Sequence, residues 1–248
     1  MNHELHNRAF WDADADDYQA RHGALLAELP EAWGVWRIPE ADVNALGDVA
    51  GLDVLEYGCG AAQWSIALAG RGARVVALDQ SRAQLAHARR LQVHASVEFP
   101  LLCASATAVP AHAASFDLVF CDHGAMSFCD PNVTVAEVGR LLRPGGRLVF
   151  CHSSPWIYVT DDPRTERTSR RLHQPYFGMH SFVAPDGTAD FAMPTGQWVA
   201  LFREHGFAID ALHELQAPAD ATTTYGWNPK WARRWPGEHL WVVRLEPR

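Results

Sequence analysis

The sequence predicts an α/β fold: a doubly wound, mostly parallel sheet with helices on both faces. Three observations carry that expectation. From residue 50 onward, short apolar runs alternate with segments of helical spacing. A glycine turn, Gly58-Cys-Gly60, joins the first run directly to a helical segment. The second run ends on Asp79, 21 residues after Gly58, as nucleotide-binding sheets of this class arrange their first two strands.

The elements follow in order. The tract Asp12–Asp17 reads as the solvated, acidic first turn of a helix. It is no calcium loop, because its sixth position is Asp17 where Gly is needed and its twelfth is Gly23 where Glu is needed. Residues 53–57 form the first strand, 62–71 a helix closed by Gly72, and 74–79 the second strand. Ser81 is placed to cap a helix over 81–94. Residues 97–103 read as an edge strand because Pro100 interrupts them. Residues 116–121 are the fourth strand, 132–142 a helix, and 146–152 the fifth strand after the turn Arg143-Pro-Gly-Gly146. A helix over 195–205 and strands over 207–215 and 239–245 complete the rhythm. The run 153–194, rich in Pro, Arg and aromatics, breaks it and reads as an insertion over the C-terminal edge of the sheet.

Composition narrows the function. The chain has 248 residues, 48% apolar and 20% charged, with a formal charge of −8. That balance suits a globular core and argues against a nucleic-acid partner, whose affinity comes largely from neutralised phosphates. No window reaches 18 consecutive apolar residues, so no membrane partner is expected. The acidic N-terminus lacks an apolar signal segment. Five cysteines, odd in number and never spaced C-x-x-C, point to a reducing cytoplasm and away from disulfides or structural zinc.

Chemistry concentrates in Val54-Leu-Glu-Tyr-Gly-Cys-Gly-Ala-Ala-Gln63. Gly58 and Gly60 let the backbone turn and approach a ligand closely, and Asp79 is spaced to accept hydrogen bonds from ribose hydroxyls. A dinucleotide site wants a third glycine where Gln63 stands. Glu56, two residues before Gly58, suits a ligand bearing an ammonium or sulfonium group better than a pyrophosphate.

This segment resembles motif I of class I S-adenosylmethionine (SAM)-dependent methyltransferases. Ala77–Leu85, Ser105–Pro110, Phe116–His123 and Leu141–Phe150 are similar to that family's later motifs, in order, and the type-11 small-molecule group is nearest. Phe10-Trp-Asp, Tyr18 and Trp33–Glu40 look like that group's N-terminal cap. The resemblance implies a Rossmann-like seven-stranded sheet with an antiparallel last strand, in one domain over 1–248. Its parts would be a helical cap (1–48), a SAM-binding core (49–152), an acceptor-covering insertion (153–194) and the rest of the sheet (195–248). It implies Glu56, Gly58 and Gly60 around the methionine moiety, and Asp79 on the ribose. Gln80, Gln84, Ser105 and Ala106 would meet the adenine. Cys121, or its carbonyl, would lie near the methionine amino group, and Tyr18 or Arg37 would reach its carboxylate. The acidic set of metal-dependent catechol-type enzymes is missing, so no metal is expected.

Methyl transfer from a sulfonium is an in-line displacement, so the protein's main task is alignment. An acceptor O–H or N–H must also lose a proton, and histidine is suited to take it. His123 after the fourth strand, His180 in the insertion and His152 after the fifth strand are candidate bases, with Asp122 beside His123 to orient it or to touch the cofactor. Trp156, Tyr158, Tyr176, Phe177 and Phe182 are candidates to grip a flat acceptor. The expected activity is methylation of an O, N or C nucleophile on a small aromatic or heteroaromatic metabolite. A non-catalytic SAM-binding regulator and an NAD(P)-dependent oxidoreductase are the alternatives.

Overall fold

A computed structural model of the chain describes residues 3–165, 167–184 and 187–247. Seven strands form its central sheet: β1 (Asp53–Tyr57), β2 (Arg74–Asp79), β3 (Leu101–Cys103), β4 (Phe116–Asp122), β5 (Leu142–Ser153), β6 (Phe207–Leu215) and β7 (Glu238–Leu245). They lie in the order β6-β7-β5-β4-β1-β2-β3. Strands β1 to β5 are parallel, and β7 runs antiparallel to both its neighbours. The chain turns outward in both directions between β1 and β4. That is the switch point, where open α/β sheets bind ligands.

Both faces of the sheet are buried, and strand alternation divides the core cleanly. Leu55, Tyr57, Val119, Cys121, Leu148, Phe150, Trp241 and Val243 point to one face. There they meet helix α4 (Pro131–Leu141) and helix α5 (Thr195–Glu204), whose Trp198 and Phe202 pack on Phe150 at ring distances of 5.2 and 6.2 Å. Val54, Leu118, Phe120, Val149, Cys151, Leu240 and Val242 point to the other. That face is covered by helix α2 (Gln63–Gly70), helix α3 (Arg82–Ala95) and the cap residues Trp33, Leu46 and Val49. Side chains cap both α3, by Ser81 as the sequence implies, and α4, by Asp130. The Ser81 hydroxyl accepts from the Gln84 amide at the start of α3, and the Asp130 carboxylate accepts from Asn132 at the start of α4.

Four local expectations need correction. Strand β3 begins only at Leu101, because Pro100 ends the extended pairing where it offers no N–H. Strand β5 begins at Leu142 and passes through the expected turn as a bulge, with Gly145 at φ +83°. The acidic tract lies well inside helix α1 (His3–Glu28), not in its first turn. It is also not simply solvated: Asp12 accepts from the Ser81 hydroxyl at 2.8 Å, and Asp16 pairs with His87 at 2.7 Å, tying α1 to α3. Finally, the insertion aromatics mostly pack on each other. Tyr158 stacks on Phe182 at 4.3 Å and, with Tyr176, they pack on a separate small core of Val159, Met179 and Ala192, while Phe177 meets Tyr176 edge-on and stays exposed. Among the described residues no helix is long and apolar enough to cross a membrane.

Candidate active site

A cavity of about 340 Å³ opens at the switch point, over the C-terminal ends of β1, β2 and β4. The turn after β1 forms its floor. Gly58 and Cys59 both donate their amides to the Leu78 carbonyl at 2.9 Å, which binds the turn to β2. The Gly60 amide then donates to one Asp79 oxygen and the Ser81 amide to the other, each at 2.8 Å. Asp79 is thus preorganised, with both oxygens already aimed by the backbone. Burial raises its pKa against the opposing pull of those amides. A carboxylate oxygen has two lone pairs, so each retains capacity for a ligand hydroxyl.

Glu56 also lines the cavity, with its carboxylate anchored by the Ser65 amide at 3.0 Å and by the Ser65 hydroxyl. Burial pushes its pKa up to about 8 despite those two donors. The cap closes the opposite side. Gln19 on α1 donates to Gln84 at 3.0 Å and accepts from Gln63 at 3.3 Å. The Tyr18 hydroxyl bonds the Tyr225 hydroxyl at 2.9 Å, and His22 stacks on the Tyr225 ring at 4.2 Å. Burial, and then the charge and hydrogen bond of Tyr225, raise the Tyr18 pKa, so its hydroxyl stays neutral.

His123 follows β4 directly, at φ +50°, with its amide held by the Cys151 carbonyl at 3.0 Å. Its imidazole Nε2 lies 2.6 Å from Oε1 of Glu238, the fully buried first residue of β7. Burial pulls the His123 pKa down, but the bond and charge of Glu238, helped by Asp122 and Asp190, prevail and raise it. Asp122 accepts the Gly34 amide at 3.0 Å, and burial lifts its pKa to about 6.

The cavity therefore gathers Tyr18, Glu56, Gly58, Gly60, Asp79, Gln80, Gln84, Ala106, Asp122 and His123, as the sequence suggests. Other candidates lie elsewhere. Arg37, turned by φ +54°, pairs with Glu28 at 3.2 Å. The Ser105 hydroxyl is bonded to Thr107. The Cys121 thiol is buried and accepts the Gly124 and Met126 amides. His180 sits in a second cleft, 3.4 Å from Asp130. His152 is a core residue whose Nε2 accepts from Trp241 at 3.3 Å, and burial lowers its pKa. None of the five insertion aromatics lines the cavity. Its walls instead come from Trp11 and Tyr18 of α1, Trp64, Phe128, Tyr225 and Trp227. Glu238 and the Tyr225–Trp227 wall escaped the sequence reading. The one signal for Glu238 was an acidic residue just before the terminal strand read from the sequence.

Residues 55–150 match the profile of the family described as "Methyltransferase domain". The chain is 39% identical over 121 residues to a demethylmenaquinone methyltransferase of Clavibacter sepedonicus, covering 48% of each protein. It is 35% identical over 155 residues to a ubiquinone biosynthesis O-methyltransferase of Pseudomonas fluorescens, covering 60% of this chain and 66% of that protein. The chain thus spans about half to two thirds of the length of these relatives. In fold it is similar to an S-adenosylmethionine-dependent methyltransferase from Mesorhizobium loti, with a TM-score of 0.66, 23% identity and coverage of 82% and 95%. It is also similar to the 1,6-didemethyltoxoflavin-N1-methyltransferase of Burkholderia thailandensis, solved with that compound and S-adenosylhomocysteine (SAH). There the TM-score is 0.62, the identity 15% and the coverage 98% and 88%.

Proposed function

We propose that the chain, whose residues 55–150 match a methyltransferase domain, is a class I SAM-dependent methyltransferase that methylates a small, flat aromatic acceptor that is neutral or cationic, with His123 taking the acceptor's proton. One observation carries the reading. His123 lines a cavity whose walls include aromatic rings and the acidic residues Glu56, Asp79, Asp122 and Asp190, and among the described residues no Arg or Lys lines it. Aromatic faces suit a planar ring and a sulfonium, whereas an anionic acceptor would be repelled at close range. The names of the relatives, a demethylmenaquinone methyltransferase and a ubiquinone biosynthesis O-methyltransferase, support a quinone-type ring as the acceptor. The cavity draws residues from 1–48, 49–152, 153–194 and 195–248, which supports one functional unit. Five unpaired cysteines fit a cytoplasmic setting.

Asp79, Gln80 and Gln84 would hold the nucleoside half of SAM and Glu56 would face its cationic half. When bound, SAM supplies an electrophilic methyl group. Labelled SAM, offered with a panel of phenols, hydroquinols and N-heteroaromatics, should pass its methyl to neutral members. Carboxylated analogues should react at least ~10-fold more slowly. Labelling confined to anionic acceptors would reject the acceptor class.

Three further outcomes follow from the same site. Asp79→Ala should weaken SAH by about 1.5–3 kcal/mol for each ribose bond lost, before water compensates; calorimetry showing unchanged affinity would refute the ribose assignment. At pH 7 the Glu56 carboxyl, with a pKa of about 8, is mostly protonated in the free protein. A cationic ligand favours the carboxylate, so SAM binding should release roughly half a proton or more near pH 7, read from binding enthalpies in two buffers. Glu56→Gln should abolish that release; wild-type binding with no proton release would remove Glu56 from the cation's neighbourhood. Finally, Asp122, His123 and Cys151 cluster as metal donors could. His123 Nε2 is already engaged by Glu238, and burial pushes the Cys151 thiol pKa up, against the thiolate a metal needs. We propose that no metal is required. Dialysis against EDTA should leave turnover unchanged, and a loss restored by a divalent ion would overturn this.

A further inference from the structure

The base at the mouth of β4 is completed from the far end of the chain. Strand β7 lies beside β5 with Glu238 opposite Ser153, so its first side chain emerges at the sheet edge that carries His123. Glu238 is fully buried, and its Oε1 accepts the Val35 amide at 2.8 Å while meeting His123 Nε2 at 2.6 Å. Its second oxygen has no hydrogen-bond partner among the described residues. Gly34, at φ +68°, makes room for the group: a Cβ there would stand 2.2 Å from the carboxylate. An uncompensated buried carboxylate is costly, and no Arg or Lys is paired with this one among the described ion pairs. The titratable groups around the pair are Asp122 at the end of β4, the Cys151 thiol 3.9 Å from Oε1, His152, Asp190 and Tyr225. Among the described ion pairs, the cation that meets Glu238 is the imidazolium of His123 itself.

We propose that Glu238 is the positioning residue for His123: it takes the Nε2 proton as a hydrogen bond, fixes the ring and its tautomer, and stabilises the imidazolium formed during methyl transfer. The inference rests on His123 as the base and deepens that reading. An imidazole that donates Nε2–H to a carboxylate keeps its lone pair on Nδ1. The acceptor's O–H or N–H bond breaks toward Nδ1, and the freed electron pair bonds the methyl carbon. The carbon–sulfur pair stays on sulfur, and the proton leaves His123 for solvent after product release. Glu238 touches neither acceptor nor cofactor. Its effect reaches the reaction through the ring it holds, as a third group does for any oriented base.

The test uses the full chain with Glu238→Gln, which can still accept from Val35 and from Nε2–H but carries no charge. Histidine-labelled NMR, assigned through His123→Gln, reads the His123 tautomer and pKa without any acceptor. The wild type should show the neutral ring protonated on Nε2, and Glu238→Gln should lower the His123 pKa by about one unit or more. With the phenol panel, kcat should fall about 10- to 100-fold, with KM for SAM within about threefold, and the acidic limb should move down in step with the NMR value. A folded Glu238→Gln variant whose His123 pKa and pH profile match the wild type overturns the proposal. If that variant does not fold, a wild-type ring protonated on Nδ1 in its neutral form overturns it instead. His123→Gln with full kcat would reject the base itself, an outcome separate from either.

Discussion

His123→Gln should lower kcat about 10²- to 10⁴-fold while leaving SAH affinity within about threefold. The reasons are geometric. His123 sits directly after β4, lines the cavity, and is held by backbone and carboxylate rather than by any contact expected to grip the nucleoside. The wild-type rate should rise with pH along a limb whose midpoint lies above 6.5, because the pKa of His123 is raised, and the variant should lose that limb. The sign of the linked stability is opposite to that of the rate. A histidine whose pKa is raised on folding stabilises fully below its unfolded pKa and loses that contribution as pH rises through the folded value. The pH that frees His123 to act as a base therefore also removes the ion pair that steadies Glu238. Glu56, raised to about 8, works in the same direction through the same range. Ligand-free protein should melt progressively lower above pH 6.5. If the acceptor attacks through an unprotonated nitrogen or carbon, the kcat loss shrinks to a few-fold. A variant with full kcat and an intact pH limb would remove His123 from the reaction.

What could be read from the sequence was set by the distance over which the chemistry acts. The stretch from Val54 to Asp79 carries its own instructions: apolar strand, glycine turn, helix, second strand and terminal carboxylate, all within one local unit. Gly58, Gly60 and Asp79 were legible there because their roles arise from neighbours a few residues away or one parallel strand over. Glu238 was not, since 115 residues separate it from His123 and only the antiparallel register of β7 on β5 joins them. Arg37 shows the converse failure. Its residue type suits a ligand carboxylate, but a left-handed backbone turns it toward Glu28. The insertion aromatics show a third. Composition says that Tyr158 and Phe182 will be buried against something flat, and cannot say whether that is an acceptor or each other. Aromatic walls of the cavity come instead from α1 and residues 225–227, where Tyr18 and Tyr225 meet across 207 positions of chain.

The same local legibility hides a second glycine, Gly124, whose replacement should cost as much as any in the site. The turns after β1 and β4 touch backbone to backbone at the switch point. A Cβ on Gly124 would stand 2.4 Å from the Gly58 carbonyl oxygen and 2.8 Å from that of Tyr57. A Cβ on Gly58 would stand 2.5 Å from the Ala125 amide nitrogen, and Gly58 also holds φ +91°. Neither contact is with a flexible side chain that could swing aside, so one whole turn must move. Overpacking of this kind typically costs about 1–3 kcal/mol, and a positive φ on an L residue adds roughly 1–2 kcal/mol. Gly58→Ala should therefore lose roughly 3 kcal/mol, a fall of about 6–12 °C in Tm for a chain of this size. Gly124→Ala should lose a comparable amount, since its Cβ would meet backbone atoms at least as closely. Both should also weaken SAH at least ~10-fold, because the displaced turn carries the Gly60 amide that aims Asp79. Gly145→Ala separates the two causes. Gly145 has φ +83° but open space where its Cβ would go, so that variant should show the conformational penalty alone and bind SAH normally. Calorimetry and thermal melts on the three variants give the comparison. Gly58→Ala matching Gly145→Ala in both measurements would mean that the two turns are not in contact, and the floor of the cavity would have to be redrawn.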